Sequence, residues 1–203
     1  RRCLPHAFIC RELIIHYNFT FPGIADLLFR IARYLCDQGD YVLAEQFYQQ
    51  ALIINEQTLG PEHYYTGTTL YGLARVYRVQ GRYAEAEACL QRALSIKEQT
   101  VGPTHRSTLV MRHNLARLYL DQKHYATAEG ILQHTLMICA QQLGSGHKLT
   151  GDILHSLACL SHAQGDYVKA EVLFQRTLAL YERTLSESNP SIGTTLRALA
   201  ILM

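Results

Sequence analysis

With 203 residues and a formal net charge of only +2, the chain lacks the basic excess that would by itself mark a nucleic-acid binder. Hydrophobic residues make up 48% and charged residues 18%, an ordinary soluble balance, and no apolar run approaches the roughly 18 residues of a membrane-spanning helix. The six cysteines (Cys3, Cys10, Cys36, Cys89, Cys139 and Cys159) form no C-x-x-C pair and follow no period. They read as small hydrophobes in a reducing compartment, and the expected location is cytoplasmic.

The first ten residues, RRCLPHAFIC, have the basic start and apolar sequel of a signal peptide. His6, Arg11 and Glu12 interrupt that apolar stretch, however, and no small-residue cleavage site follows. Asn18-Phe19-Thr20 matches a glycosylation sequon, which carries no weight without a secretory signal. Leu4, Phe8 and the Leu13–Ile15 run give residues 4–17 one apolar side and predict a helix there. Pro22 and Gly23 oppose helix continuation, so 18–23 is expected to be a break, with 1–23 as a preceding helix and linker.

From here the chain repeats itself. The pattern Y-x-x-A-E starts at Tyr41, Tyr83, Tyr125 and Tyr167, each 42 residues after the last. His63, His105 and His147 keep the same step, with Asn189 in the fourth place. A fixed period in the range of roughly 20–50 residues means a stack of equal supersecondary units. The units are 24–65, 66–107, 108–149 and 150–191, and 192–203 repeats the first helix of a fifth. The expected architecture is all-α, a solenoid of antiparallel helix pairs. The chain does not begin with Met and stops inside a repeat, so a fragment of a longer protein is expected.

Within each unit the grammar is constant. A first helix carries an apolar stripe at steps of three and four, such as Leu70, Leu73, Ala74 and Tyr77. A turn follows at Gly39, Gly81, Lys123 and Gly165, where glycine relieves a left-handed backbone; Lys123 must take another conformation or accept strain. The second helix opens at the repeated Tyr, and its alanine (Ala44, Ala86, Ala128, Ala170) lets two helix backbones approach closely. The Glu after that alanine is expected in the first turn, where the helix dipole favours a carboxylate. The linker histidines are expected to hold helix ends or pack in the turn.

The order Leu70, Leu73-Ala74, Tyr77, Ala86, Leu90, Ala93 resembles the tetratricopeptide repeat. The lengthened second helix and the linker Leu59-Gly60-Pro61-Glu62-His63 resemble the kinesin-light-chain subfamily, and the resemblance covers 24–203. Residues 4–51 are also similar to the start of the repeat region in bacterial signal-transducing NTPases of the NB-ARC type. The chain holds no G-x-x-x-x-G-K-[ST] phosphate loop, so any nucleotide chemistry would lie outside it. The family resemblance implies that the solenoid is right-handed, that the first helices line a concave surface and that the function is protein–protein interaction, with the sensing arm of a larger regulatory protein as one setting.

Counting round each first helix, away from its apolar stripe, gives Phe29, Arg33 and Cys36, then Tyr71, Arg75 and Arg78. It goes on with His113, Arg117 and Leu120, then His155, Cys159 and His162, and ends at Arg197. Each set of three has i, i+4, i+7 spacing and so shares one helical face. Five arginines and no carboxylate occupy these places. A basic groove for an acidic peptide or helix follows, with guanidinium forks for carboxylates and Phe29 and Tyr71 as apolar anchors. Asn114 is what remains of the Asn pair with which kinesin-light-chain repeats grip a peptide backbone, and the Lys/Asn carboxylate clamp of co-chaperone repeats is not reproduced. The competing accounts are a merely solvated face, an architectural scaffold that self-associates through the last helix, and nucleic acid held by the same arginines.

His155, Cys159 and His162 form H-x3-C-x2-H, with His113 one repeat away, a set that could hold zinc if distances allowed. Drift on a polar wall is the simpler account, and no metal or other cofactor is expected. The chain shows no nucleophile–base pair, H-E-x-x-H or Gly-rich phosphate loop, and no catalysis is expected.

Overall fold

The repeated tyrosines open helices. The structure, a computed structural model, describes residues 21–186 and 189–202, and every regular element among them is an α-helix. In order these are α1 (Pro22–Asp37), α2 (Tyr41–Thr58), α3 (Tyr64–Val79), α4 (Tyr83–Val101), α5 (Arg106–Asp121), α6 (Tyr125–Gln142), α7 (Lys148–Ala163), α8 (Tyr167–Thr184) and α9 (Pro190–Leu202). The chain divides into two compact units, Arg1–Val101 and Gly102–Met203. The first contains α1 to α4 and the second α5 to α9. The helix expected over 4–17 lies outside the described residues.

One boundary differs from the sequence reading. Pro22 and Gly23, expected within the break, are instead the first two residues of α1. A proline breaks a helix because it lacks an N–H, but in the first turn that N–H has no helical acceptor, and its fixed φ suits the start.

The turns within helix pairs share one geometry. Gly39, Gly81 and Gly165 all have φ near +80°, and the following residue's N–H reaches back five residues, as in Asp40 N to the Leu35 carbonyl at 2.9 Å. Lys123 takes the same conformation at φ +62° and makes the same bond, His124 N to the Tyr119 carbonyl at 2.8 Å. It therefore accepts the strain, of order 1–2 kcal/mol for a residue with a Cβ.

The linker histidines are caps. His63, His105 and His147 each accept through Nδ1 the backbone N–H two residues on, at 3.1–3.2 Å. Asn189 does the same for Ser191 N with its Oδ1 at 3.0 Å. Nearby, Thr66, Thr108 and Thr150 donate their hydroxyls to the carbonyls of Gly60, Gly102 and Gly144, tying each linker to the helix that follows.

The core follows the alanines. Ala44, Ala86, Ala128 and Ala170 are all fully buried, as are Leu28 and Ala32 in the first unit and Leu109, Leu118 and Ile153 in the second. Each fully buried leucine or isoleucine contributes roughly 1.5–3 kcal/mol. Two glycines are needed for close approach: a Cβ at Gly72 would stand 2.5 Å from the Tyr48 ring, and one at Gly151 2.5 Å from the Tyr181 ring. In α9 two aliphatic side chains are less covered, with Leu196 48% and Ile201 71% exposed.

The recurring glutamate is a correction. Glu45 is the fifth residue of α2, beyond its first turn, and its carboxylate does more than meet the helix dipole. It accepts from Gln49 four residues on, from Gln80 and from Arg82 at 2.8 Å. Glu129 likewise accepts from Gln133 and pairs with Lys169 at 3.3 Å.

Candidate functional site

Within the first unit, α1 carries Phe29, Arg33 and Cys36 on one face and α3 carries Tyr71, Arg75 and Arg78. Arg33 and Arg75 are exposed, whereas Phe29, Cys36, Tyr71 and Arg78 are half-buried. Phe29 packs edge-on against Tyr48 of α2, with centroids 5.4 Å apart. Tyr48 is buried beneath this face and held against Gly72, and it hydrogen-bonds the Cys36 thiol. Burial pushes the Tyr48 phenol above its ordinary range, while Arg75 and Arg33 pull it the other way. Burial also raises the Cys36 thiol, again opposed by Arg75. Both guanidinium groups therefore bear on the Tyr48 phenol, and Arg75 on the Cys36 thiol as well.

Other described arginines of this unit have internal work. Arg30 pairs with Asp26 at 2.9 Å, Arg82 with Glu45 and Glu85, and Arg92 with Glu56 at 2.7 Å. Arg33 and Arg75 make no ion pair or hydrogen bond among the described residues. Their forks face solvent beside two aromatic rings, an arrangement suited to carboxylates flanked by apolar side chains.

The second unit's face is different. His113 was expected on it but is buried at 6% exposure, its Nε2 2.8 Å from Ser156 Oγ on α7. The Ser156 hydroxyl donates to the Asp152 carbonyl, so the His113 Nε2–H donates to Ser156. Burial, with Arg117 nearby, lowers the His113 pKa to about 4, so it is neutral at pH 7. Helical phase had placed His113 with Arg117, but α7 covers the upper part of that face. Arg117 itself is exposed, and it also lowers the pKa of the half-buried His155 after burial does.

Asn114 is half-buried and donates its amide to the Val110 carbonyl of its own helix at 2.8 Å. His155 packs on Phe174 and lies 3.2 Å from Thr195 Oγ1 through Nδ1. His162 is exposed in the last turn of α7 with its ring against Tyr167, and Cys159 and Arg197 are exposed. The His-Cys-His spacing does not assemble a metal centre: among the described residues no group of three His, Cys, Asp or Glu could hold an ion.

Sequence reasoning missed one recurring position. Asn55, Lys97, Cys139 and Tyr181 stand 42 residues apart and are all buried. Asn55 donates to Thr69 Oγ1 at 3.1 Å and Tyr181 to Asp152 at 2.6 Å, while burial pushes Cys139 up to about 11. Lys97 donates to the Tyr64 carbonyl and Thr68 Oγ1, with its ammonium 2.8 Å from the Tyr64 ring centre. Aligning the units at their period would have exposed this position as a column of polar and sulfur-bearing side chains in the apolar stripe of the second helices.

The tetratricopeptide repeat family model matches residues 23–99, 67–141 and 107–183. A crystal structure of a putative kinesin light chain from Podosopora anserina, with nearly identical TPR-like repeats, matches at TM-score 0.71 and 27% identity, covering 91% of this chain and 87% of that one. BtubC (BKLC) from P. vanneervenii matches at TM-score 0.74 and 21% identity, over 95% of this chain and 76% of that one. A Rap protein complexed with competence and sporulation factor matches at 0.78 and 19%, over 98% and 53%. The last two likenesses are of fold. No curated protein matches the chain. No helix among the described residues is long and apolar enough to cross a membrane.

Proposed function

This chain belongs to the tetratricopeptide repeat family, whose members are generally protein-interaction modules, and from that premise we propose that its first helices bind an acidic peptide or helix without catalysis. The observation that carries the reading is the pair Arg33 and Arg75. They stand at the same place in successive repeats of one compact unit, exposed beside Phe29 and Tyr71, while Arg30, Arg82 and Arg92 of that unit are engaged in ion pairs. A ligand carboxylate supplies what these two side chains lack, and the rings receive its apolar neighbours. Arg78 and Arg117 extend the basic character of the first-helix faces. His113 and Asn114, by contrast, are not counted as contacts, because their polar atoms are bonded internally.

The test is selection of acidic peptides from a displayed library, then titration of the chosen peptide against wild type, Arg75→Ala and Arg92→Ala. Charge-assisted bonds at a partly desolvated site are worth about 1.5–3 kcal/mol each, so Arg75→Ala is expected to weaken binding by roughly ten- to a hundredfold. Arg92→Ala changes it little, and affinity falls as salt rises. Equal affinity of Arg75→Ala and wild type refutes the basic-face mechanism. A second reading, self-association through α9, rests on the exposed Leu196 and Ile201. It requires a mass by light scattering that grows with concentration and that Leu196→Lys returns to the monomer.

A further inference from the structure

In the second compact unit, residues of α6, α7 and α8 line a groove of about 560 Å³. Its apolar floor is Leu136, Leu154 and Leu180, and Arg176 and Arg183 border it from α8. Seven residues separate the two arginines, about 10.5 Å along the helix axis. No carboxylate lines the groove, and neither arginine makes an ion pair or hydrogen bond among the described residues.

The first unit shows what this position is for when it is internally satisfied. Two periods earlier Arg92 occupies the place of Arg176, and it pairs with Glu56 at 2.7 Å and donates to the Pro61 carbonyl at 3.2 Å. Glu56 corresponds to Ala140, Ser95 to Ala179 and Gln99 to Arg183. The second unit thus retains the arginine, lacks its carboxylate, gains a second arginine and presents methyl groups where the first has polar side chains. Both alanines line the groove. A surface that is apolar at its centre and doubly positive along one edge is complementary to an amphipathic acidic segment.

We propose that this groove is a second docking site, distinct from the first-helix face, for a helical segment of a protein partner with two acidic side chains seven residues apart and aliphatic side chains between them. The partner's carboxylates meet Arg176 and Arg183, one of them standing where Glu56 stands in the first unit. Its aliphatic side chains cover Leu136, Leu154 and Leu180.

The probe is a fluorescein-labelled Ala/Gln-rich helical peptide of about 18 residues, bearing two Glu seven positions apart and two Leu between them, with a control in which Gln replaces both Glu. Each is titrated by anisotropy against the whole chain. The Glu peptide is expected to bind at least about tenfold more tightly than the control, and Arg176→Gln to lose about that factor. Ala140→Glu is expected to lose as much, because it recreates the internal pair of the first unit; as Ala140 is exposed, its thermal melt stays at the wild-type temperature. Arg75→Ala binds as wild type does. Binding of neither peptide, equal binding of both, or undiminished binding to Ala140→Glu overturns the proposal. So does a loss in Arg75→Ala that matches the loss in Arg176→Gln, which would put the peptide on the first-helix face instead.

Discussion

Lys97 makes stability depend on pH in a direction that one substitution can isolate. Its side chain is 1% exposed, and its ammonium contacts a carbonyl, a hydroxyl and the Tyr64 ring. Burial lowers its pKa to about 7, against about 10.4 in an unfolded chain. Below pH 7 both states are charged, and the folded state bears the whole cost of enclosing the ammonium. Between about 7 and 10.4 the unfolded chain holds a proton that the folded chain does not, so stability rises with pH across that window. The slope is about 1.4 kcal/mol per pH unit, which gives roughly 2–3 kcal/mol between about pH 7 and pH 9. The two oxygen acceptors and the ring face offset part of the desolvation, and the lower figure is expected. Lys97→Met keeps the length of the side chain and removes the titration. Urea unfolding of both proteins at about pH 6.5 and pH 9 should show the variant's advantage at the lower pH shrinking at the higher one. If the two proteins share one pH dependence, or if a labelled Lys97 titrates near 10 by NMR, the reasoning is wrong.

Three backbone substitutions are also decisive. Gly72→Ala sets a methyl 2.5 Å from the buried Tyr48 ring and is expected to cost about 1–3 kcal/mol in a thermal melt. Gly130→Ala, within α6 with nothing inside 4 Å of the new methyl, is expected to raise stability by about 0.5–1 kcal/mol. Lys123→Gly relieves the left-handed residue and, after the extra entropy of an unfolded glycine, is expected to gain about 0.5–1 kcal/mol, read as a higher urea midpoint.

The 42-residue period, read from sequence alone, determined the all-α class, the helix starts at Tyr41, Tyr83, Tyr125 and Tyr167 and the burial of the repeated alanines, and it narrowed the linker histidines to holding helix ends or packing in the turn, of which the structure shows the first. These features are local or nearest-neighbour consequences of a repeated pattern: a cap needs only the next turn, and an alanine stripe needs only the helix beside it. What lies on an exposed face was harder to read. Helical phase assigned His113 and Arg117 to one side of α5, but whether a neighbour covers that side depends on where α7 lies, and Ser156 and Asp152 cover His113 alone. Likewise, no pattern within one helix says that Arg92 meets Glu56 from another helix while Arg176, in the same register, borders a groove with Ala140 in that glutamate's place. Lys97 looks like an ordinary surface lysine until α3 is packed over it. Periodicity sets the direction in which each side chain leaves its own helix; only the tertiary structure decides whether it meets water, a hydrophobic wall or an opposite charge.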